Sequence, residues 1–295
     1  KIYRITYRSN DQKLSGLVVI PDQDISNGII VYDHATQIDK YTGAPSNPSN
    51  EACIVITGLA GKGRMLAMPD YIGYGKNNGK HPYPLGINNA PAGIDIIVAA
   101  HELAGELHKN KSVGSQLAVT GYSEGGGNAL WLAREIADRK PDLMGSKLTM
   151  IAPMSGPYDM SGAMAHSLVV RQPGTIIPAN ADQLITFFAH PLLAAYAAQG
   201  AADYSQSKLS SMLRPTFLGF AKSHPLPISG DNLQYGLGLI VNSTLTGYTL
   251  ITPNPALIMQ NRFVQAVRTT NRQFPAINLW VKNDNINWIP KNAEG

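Results

Sequence analysis

Gly121-Tyr122-Ser123-Glu124-Gly125 is the stretch of this 295-residue chain whose residue types and spacing could most directly do chemistry. A serine hydroxyl becomes a nucleophile when it stands free beside a base, and the carbonyl it attacks needs donors for the developing oxyanion. A serine between two glycines meets the first condition when a strand runs into it and a helix leaves it. The turn is then too tight for side chains on its flanks. The hydroxyl is lifted above the sheet edge, and the N-terminus of the helix aims backbone N–H groups at the same point. Here the apolar, strand-like "QLAVT" (116–120) precedes the serine, and Ala129, Leu132, Ala133, Ile136 and Ala137 follow it at helical spacing. The bland alternative is a glycine-rich turn that packs a helix closely on a sheet.

Covalent acyl chemistry at Ser123 calls for further groups. The N–H of Glu124, directly after the serine, is one oxyanion donor. A second is expected from the loop after an earlier strand, "VYDHATQ" (31–37), through the backbone of Ala35 or Thr36. His34 in that loop reads as an organising residue and not as a general base. "PDYIGYG" (69–75) and "HPY" (81–83) either shape the rim of a pocket or form a Gly-Pro-rich surface loop. "GLAGKG" (58–63) lacks the spacing of a phosphate loop, and "SEGGG" lacks that of a dinucleotide turn.

The rest of the triad is harder to place. Such an elbow is followed along the chain by an acid and then a histidine. "INLWVKND" (277–284) reads as an acid-bearing strand with Asp284 at its end, but no histidine follows it. The seven histidines are His34, His81, His101, His108, His166, His190 and His224. Using His166, His190 or His224 as the base would break the usual order.

The elements that must position these residues are legible in outline. "KIYRITYRSNDQKLSGLVVIP" reads as strand, turn, strand, and "GIIVYDHAT" (28–36) as a further strand. Residues 51–63 read as a helix, 64–75 as a strand entering a glycine-bearing loop, and 91–108 as a helix opened by Pro91. In that helix Ile94, Ile97, Val98, His101 and Ala104 share a face. "KLTMIAPMSG" (147–156) is another strand. Strands alternating with helices predict an α/β fold with a doubly wound, mostly parallel sheet and its functional edge at the C-terminal strand ends. Three regions are expected: a core over 1–158, a helical cap or lid inserted over 159–275, and a return segment over 276–295.

Composition narrows the class. A 44% hydrophobic and 15% charged chain is that of a globular protein with a large core. The net charge of +4 is spread without a run of Lys or Arg, which argues against nucleic acid as a partner. Cys53, the single cysteine, excludes an intrachain disulfide and a zinc knuckle, and it reads as a small buried apolar residue. No run is long and apolar enough for a transmembrane helix. The chain begins at Lys1 without a signal peptide, which reads as a processed or trimmed polypeptide.

In combination, "ITYRSNDQKLSGLVVIP", "VYDHATQ", "GLAGKGRMLAMPDYIGYG", "HPY", "LAVTGYSEGG", "WLAREI" and "SGPYDMSG" resemble the secretory-lipase-like branch of the α/β-hydrolases, over residues ~5 to 162. The resemblance implies an esterase or lipase acting on carboxylic esters of small-molecule or lipid type. It implies Ser123 as nucleophile, a helical cap between later strands, no metal or organic cofactor, and a secreted or periplasmic setting. Two departures stand out. Ala35 occupies a position where the family has glycine. "FPAINLWVKNDNINWIPKNAEG" (274–295) is similar to the segment before the acid-bearing strand, which would make Asp284 a loop residue and put the acid and the histidine beyond Gly295. The alternatives to an ester hydrolase are a catalytically silent binding protein that keeps the pocket, an acyltransferase, or a peptidase on the same scaffold. The sequence says nothing of the oligomeric state.

Overall fold

The computed structural model describes residues 1–41, 43–47, 50–107 and 113–158, together with Leu193, Tyr196, Ala197, Gln199, Gly200, Asp203 and Tyr204. The expected cap (159–275) falls almost wholly, and the return segment (276–295) wholly, outside the described residues.

The chain opens with a hairpin. Strands β1 (Ile2–Ser9) and β2 (Gln12–Val19) pair antiparallel from Ile2↔Val19 to Ser9↔Gln12. The turn between them is Asn10-Asp11, with φ of 45° and 62°, the two-residue geometry whose twist matches that of its strands. Four further strands follow: β3 (Ile29–Asp33), β4 (Met65–Pro69), β5 (Gln116–Tyr122) and β6 (Lys147–Met154). The six form one sheet in the order β1-β2-β4-β3-β5-β6. β2 meets β4 antiparallel, and the β4-β3-β5-β6 block is parallel throughout. This is the expected α/β architecture with a mostly parallel sheet.

Parallel neighbours need crossovers, and the helices supply them: α1 (Asn50–Leu59), α2 (Gly86–Leu107) and α3 (Glu124–Arg139). Strand alternation sends Ile29, Val31, Met65, Ala67, Leu117 and Val119 to one face, where Ile96, Ile97 and Ala100 of α2 and Ala129 and Leu132 of α3 cover them. Ile30, Tyr32, Leu66, Met68 and Ala118 point to the other face and meet Ala52 and Val55 of α1. The chain leaves β3 toward β4 on one side and then jumps back across β3 to β5. The C-terminal ends of β3 and β5 therefore flank a switch point, where a doubly wound sheet opens a crevice.

Three local expectations are corrected. The first helix ends at Leu59, because Gly61 and Gly63 take positive φ and turn the chain into β4. β4 ends at Pro69 and runs into the glycine-bearing loop, as expected. α2 starts at Gly86, so Pro91 lies inside it and removes the bond to the Ile87 carbonyl. That helix end is pressed against α3: a Cβ on Gly86 would lie 2.5 Å from Trp131 Cδ1. Cys53 is exposed, not buried, because it lies on the outward side of α1 while Ala52 and Val55 face the sheet.

Candidate active site

Ser123 stands between the end of β5 and the start of α3, with φ 56° and ψ −121°. That combination is costly for a residue with a side chain, of order 1–3 kcal/mol, and persists only when the surroundings over-determine it. They do so through the backbone. The Ser123 N–H donates to the Met154 carbonyl of β6 at 2.9 Å, and the Gly126 N–H returns to the Ser123 carbonyl at 2.9 Å. The flanking glycines allow the approach. A Cβ on Gly125 would lie 1.9 Å from the Asp33 carbonyl oxygen, and one on Gly121 would lie 2.3 Å from that of Gly125. No ordinary Cβ fits at either distance, so the strand–serine–helix junction closes onto β3 only with glycine there.

The loop after β3 lies on the other side of that contact. It is pinned by distant side chains. Glu51 at the start of α1 accepts from the Ala35 N–H at 2.9 Å, from the Tyr32 hydroxyl at 2.9 Å and from Gln37 Nε2 at 2.9 Å. Tyr71 donates to the His34 carbonyl at 3.0 Å, and Tyr74 donates to the Gln37 carbonyl. His34 is buried and stacks on Tyr71 with centroids 4.0 Å apart. Its Nδ1 faces the Ala35 carbonyl at 2.7 Å and its Nε2 the Asp70 carbonyl at 3.3 Å. Of the two backbone donors expected here, Ala35 thus has its N–H committed to Glu51. Thr36 follows it, with its hydroxyl 3.4 Å from the Tyr83 hydroxyl.

"PDYIGYG" and "HPY" are not a surface loop: every residue of both but Ile72 is buried, and Tyr83 brings its hydroxyl to 3.4 Å from that of Thr36. Asp70 is fully buried, and its carboxylate accepts from Ser15 Oγ at 2.5 Å and from the Ser46 N–H at 2.7 Å, tying the end of β4 to the hairpin. Burial raises the Tyr71 and Tyr74 hydroxyls well above the usual phenol range, so both remain donors. Asp33, at the tip of β3, is pushed well above the ordinary carboxylate range. Burial is the main cause, with the Glu124 carboxylate adding to it and the Tyr71 hydroxyl partly opposing. Its Oδ2 has no hydrogen-bond partner among the described residues.

The contact that sequence reasoning missed joins His81 to Glu124. Nε2 of His81 lies 2.7 Å from Oε1 of Glu124, and both side chains are out of contact with solvent. One signal for it exists in the sequence. An acid in the first turn of a helix that must bury its glycine face needs a buried partner. Nothing local names His81 as that partner, because 43 residues separate the two.

His101, on α2, bonds Ser146 Oγ at 2.8 Å, and burial lowers its pKa. Among the described residues, no histidine hydrogen-bonds Ser123. His108, His166, His190, His224 and Asp284 lie outside the described residues. A groove of about 400 Å³ between β1 and α2, lined by Arg8, Asp95 and Glu102 among others, shares no residue with this site. No described group of His, Cys, Asp and Glu is arranged to hold a metal ion. No described helix is long and apolar enough to cross a membrane.

No family model matches the chain. No curated protein matches it. Solved structures do. A proposed hydrolase from Legionella pneumophila is similar at a TM-score of 0.69 and 24% identity, over 94% of this chain and 68% of that one. A ligand-bound form of LipA, the rice cell wall degrading esterase of Xanthomonas oryzae, gives a TM-score of 0.69 at 21% identity, over 92% of this chain and 70% of that one. Lipase A of Candida antarctica gives a TM-score of 0.50 at 14% identity, over 91% of this chain and 58% of that one. At such identities the likeness is one of fold, and the fold is that of the α/β-hydrolases.

Proposed function

We propose that the chain is a serine carboxylic-ester hydrolase, an esterase or lipase of the secretory-lipase-like kind, working through an acyl-enzyme on Ser123. One observation carries the reading: a non-glycine residue held at φ 56° where a parallel strand turns into a helix, with glycines the backbone contacts require on either side. Evolution has no packing reason to keep a serine in that conformation, since glycine would adopt it without cost.

Ser123 Oγ attacks the ester carbonyl carbon and its proton passes to a general base. The oxyanion takes hydrogen bonds from the Glu124 N–H and, on the facing loop, from the Thr36 N–H, because the Ala35 N–H already serves Glu51. The alcohol departs with the proton, and water then releases the acid by the reverse sequence. His34 and His81 are unsuited as the base, since both ring nitrogens of each face other acceptors. The base and its acid therefore belong to the part of the molecule outside the described residues, where Asp284 is one candidate acid. A small-molecule or lipid ester is the partner, and the resemblance favours a secreted or periplasmic setting. Two of the similar structures are named as an esterase and a lipase, which agrees with ester chemistry.

Labelling with a fluorophosphonate probe and turnover of a short-chain nitrophenyl ester test this. Ser123→Ala is expected to abolish labelling and to lower turnover by at least ~10³-fold. Equal labelling and turnover in both proteins would overturn the reading, and absence of both in the wild type would favour a silent binding protein. Product analysis with added alcohols or peptides separates acyl transfer and peptidase action.

A further inference from the structure

Glu124 supplies more than the backbone N–H after Ser123. Its side chain is fully buried, and its carboxylate has a single partner among the described residues, His81 Nε2 at 2.7 Å on Oε1. Oε2 has none. The second ring nitrogen of His81, Nδ1, faces the Ile72 carbonyl at 3.0 Å. A neutral imidazole has one N–H and can satisfy one of these acceptors. The imidazole and the carboxylate are thus joined by one short contact shut off from solvent, where leaving either partner alone would be costly.

We propose that His81 is a positioning residue for the oxyanion hole. By clamping the Glu124 side chain, it fixes the first residue of α3 and thereby the Glu124 N–H against the position of the oxyanion. The inference rests on the serine-hydrolase reading of Ser123. Main-chain bonds hold Ser123 itself, but its side chain, at the N-cap, makes no capping bond to the start of α3 among the described residues. The three residues after Glu124 are glycines, which pack closely but resist bending less than any other residue. His81 in turn is held from three sides, by the Ile72 carbonyl, by the edge of Tyr74 with centroids 4.8 Å apart, and by Tyr71 with centroids 6.1 Å apart. Through this contact the connection between β4 and α2 reaches the first residue of α3.

The test measures kcat and KM for a short-chain nitrophenyl ester on the full chain and on four variants: His81→Ala, Glu124→Ala, Glu124→Gln and the double alanine. Removing an oxyanion donor outright costs ~10²–10³-fold in kcat, so misplacing one is expected to cost roughly 10–100-fold in each single alanine variant. KM should stay within about threefold, because the contact acts on the transition state. The double alanine should be no slower than the slower single, since the two side chains act as one unit. Glu124→Gln should recover at least about tenfold of what Glu124→Ala loses, because a neutral His81 can accept from the new amide while still donating to Ile72. Unchanged kcat in His81→Ala, or independent losses that multiply in the double variant, would overturn the proposal. If His81→Ala fails to fold, the Glu124→Ala and Glu124→Gln pair decides with His81 intact, and equal kcat in those two sinks it. Wild-type protein with neither turnover nor Ser123 labelling would overturn the hydrolase reading and this role with it; turnover that survives His81→Ala overturns this role alone.

Discussion

The two walls of the candidate site are built by different physics. The Ser123 wall is a backbone object. Glycines at 121 and 125 let α3 close onto β3 at distances no Cβ would allow, and main-chain bonds to Met154 and Gly126 set the serine's dihedral angles. The 33–37 wall is a side-chain object. Its conformation depends on Glu51, Tyr71 and Tyr74, which reach it from α1 and from the connection after β4. A backbone wall tolerates almost nothing at the contact itself. A side-chain wall spreads the same task over several hydrogen bonds, each worth about 1 kcal/mol net, and should fail by degrees.

The largest effect tests the first wall. Gly125→Ala places a Cβ 1.9 Å from the Asp33 carbonyl oxygen, a backbone atom that cannot rotate away. We expect a stability loss of about 3 kcal/mol by denaturant unfolding, and a loss of ester turnover of at least ~10²-fold in whatever protein folds. Near-wild-type stability would mean that α3 can lift off β3, and the contrast between the walls would collapse. The next effect tests the second wall. Glu51→Ala removes three acceptor contacts at once, from Tyr32, Ala35 and Gln37. Glu51 is only partly buried, so a loss of roughly 1–3 kcal/mol is expected, with kcat reduced about tenfold and KM little changed. A kcat loss as large as that of Gly125→Ala would show the loop to be as brittle as the elbow.

The same contrast explains what the sequence disclosed. The elbow is written locally: an apolar strand, glycines at fixed offsets and a helical stripe fall within about 20 residues, so pattern alone finds it. The hairpin is equally local, because Asn10-Asp11 announces its own turn type. The sheet follows from strand and helix alternation. What was not legible depends on partners far along the chain. Glu51 and Ala35 are 16 residues apart, Tyr71 and His34 are 37 apart, and His81 and Glu124 are 43 apart. "PDYIGYG" read equally as a pocket rim or as a surface loop, since Gly and Pro usually mark loops, and nothing local shows that its tyrosines are core residues. Pro91 looked like a helix start because proline prefers that position; the helix begins at Gly86, where a side chain would crowd Trp131 from 45 residues along the chain. Cys53 was read from its apolar neighbours, without knowing which side of α1 it would occupy.

The smallest effect lies at Asp33, a residue that both walls share. Its carbonyl meets Gly125, while its carboxyl lies beside Tyr71 and Glu124. Burial, seconded by Glu124, raises its pKa well above the ordinary carboxylate range in the folded protein. In the unfolded chain it ionises in that ordinary range. Between the two values the folded state keeps a proton that the unfolded state has lost, so stability is full below the ordinary range and falls as pH rises. Asp33→Asn cannot ionise, and its backbone still makes the contact with Gly125. Its Tm relative to wild type is therefore expected to increase between about pH 4 and about pH 8, by an amount on the order of a few °C, as read by thermal melts across that window. A Tm difference that stays flat with pH would mean that Asp33 ionises in place, compensated by a cation or by water. The second wall would then rest on a charge, and no longer on neutral hydrogen bonds alone.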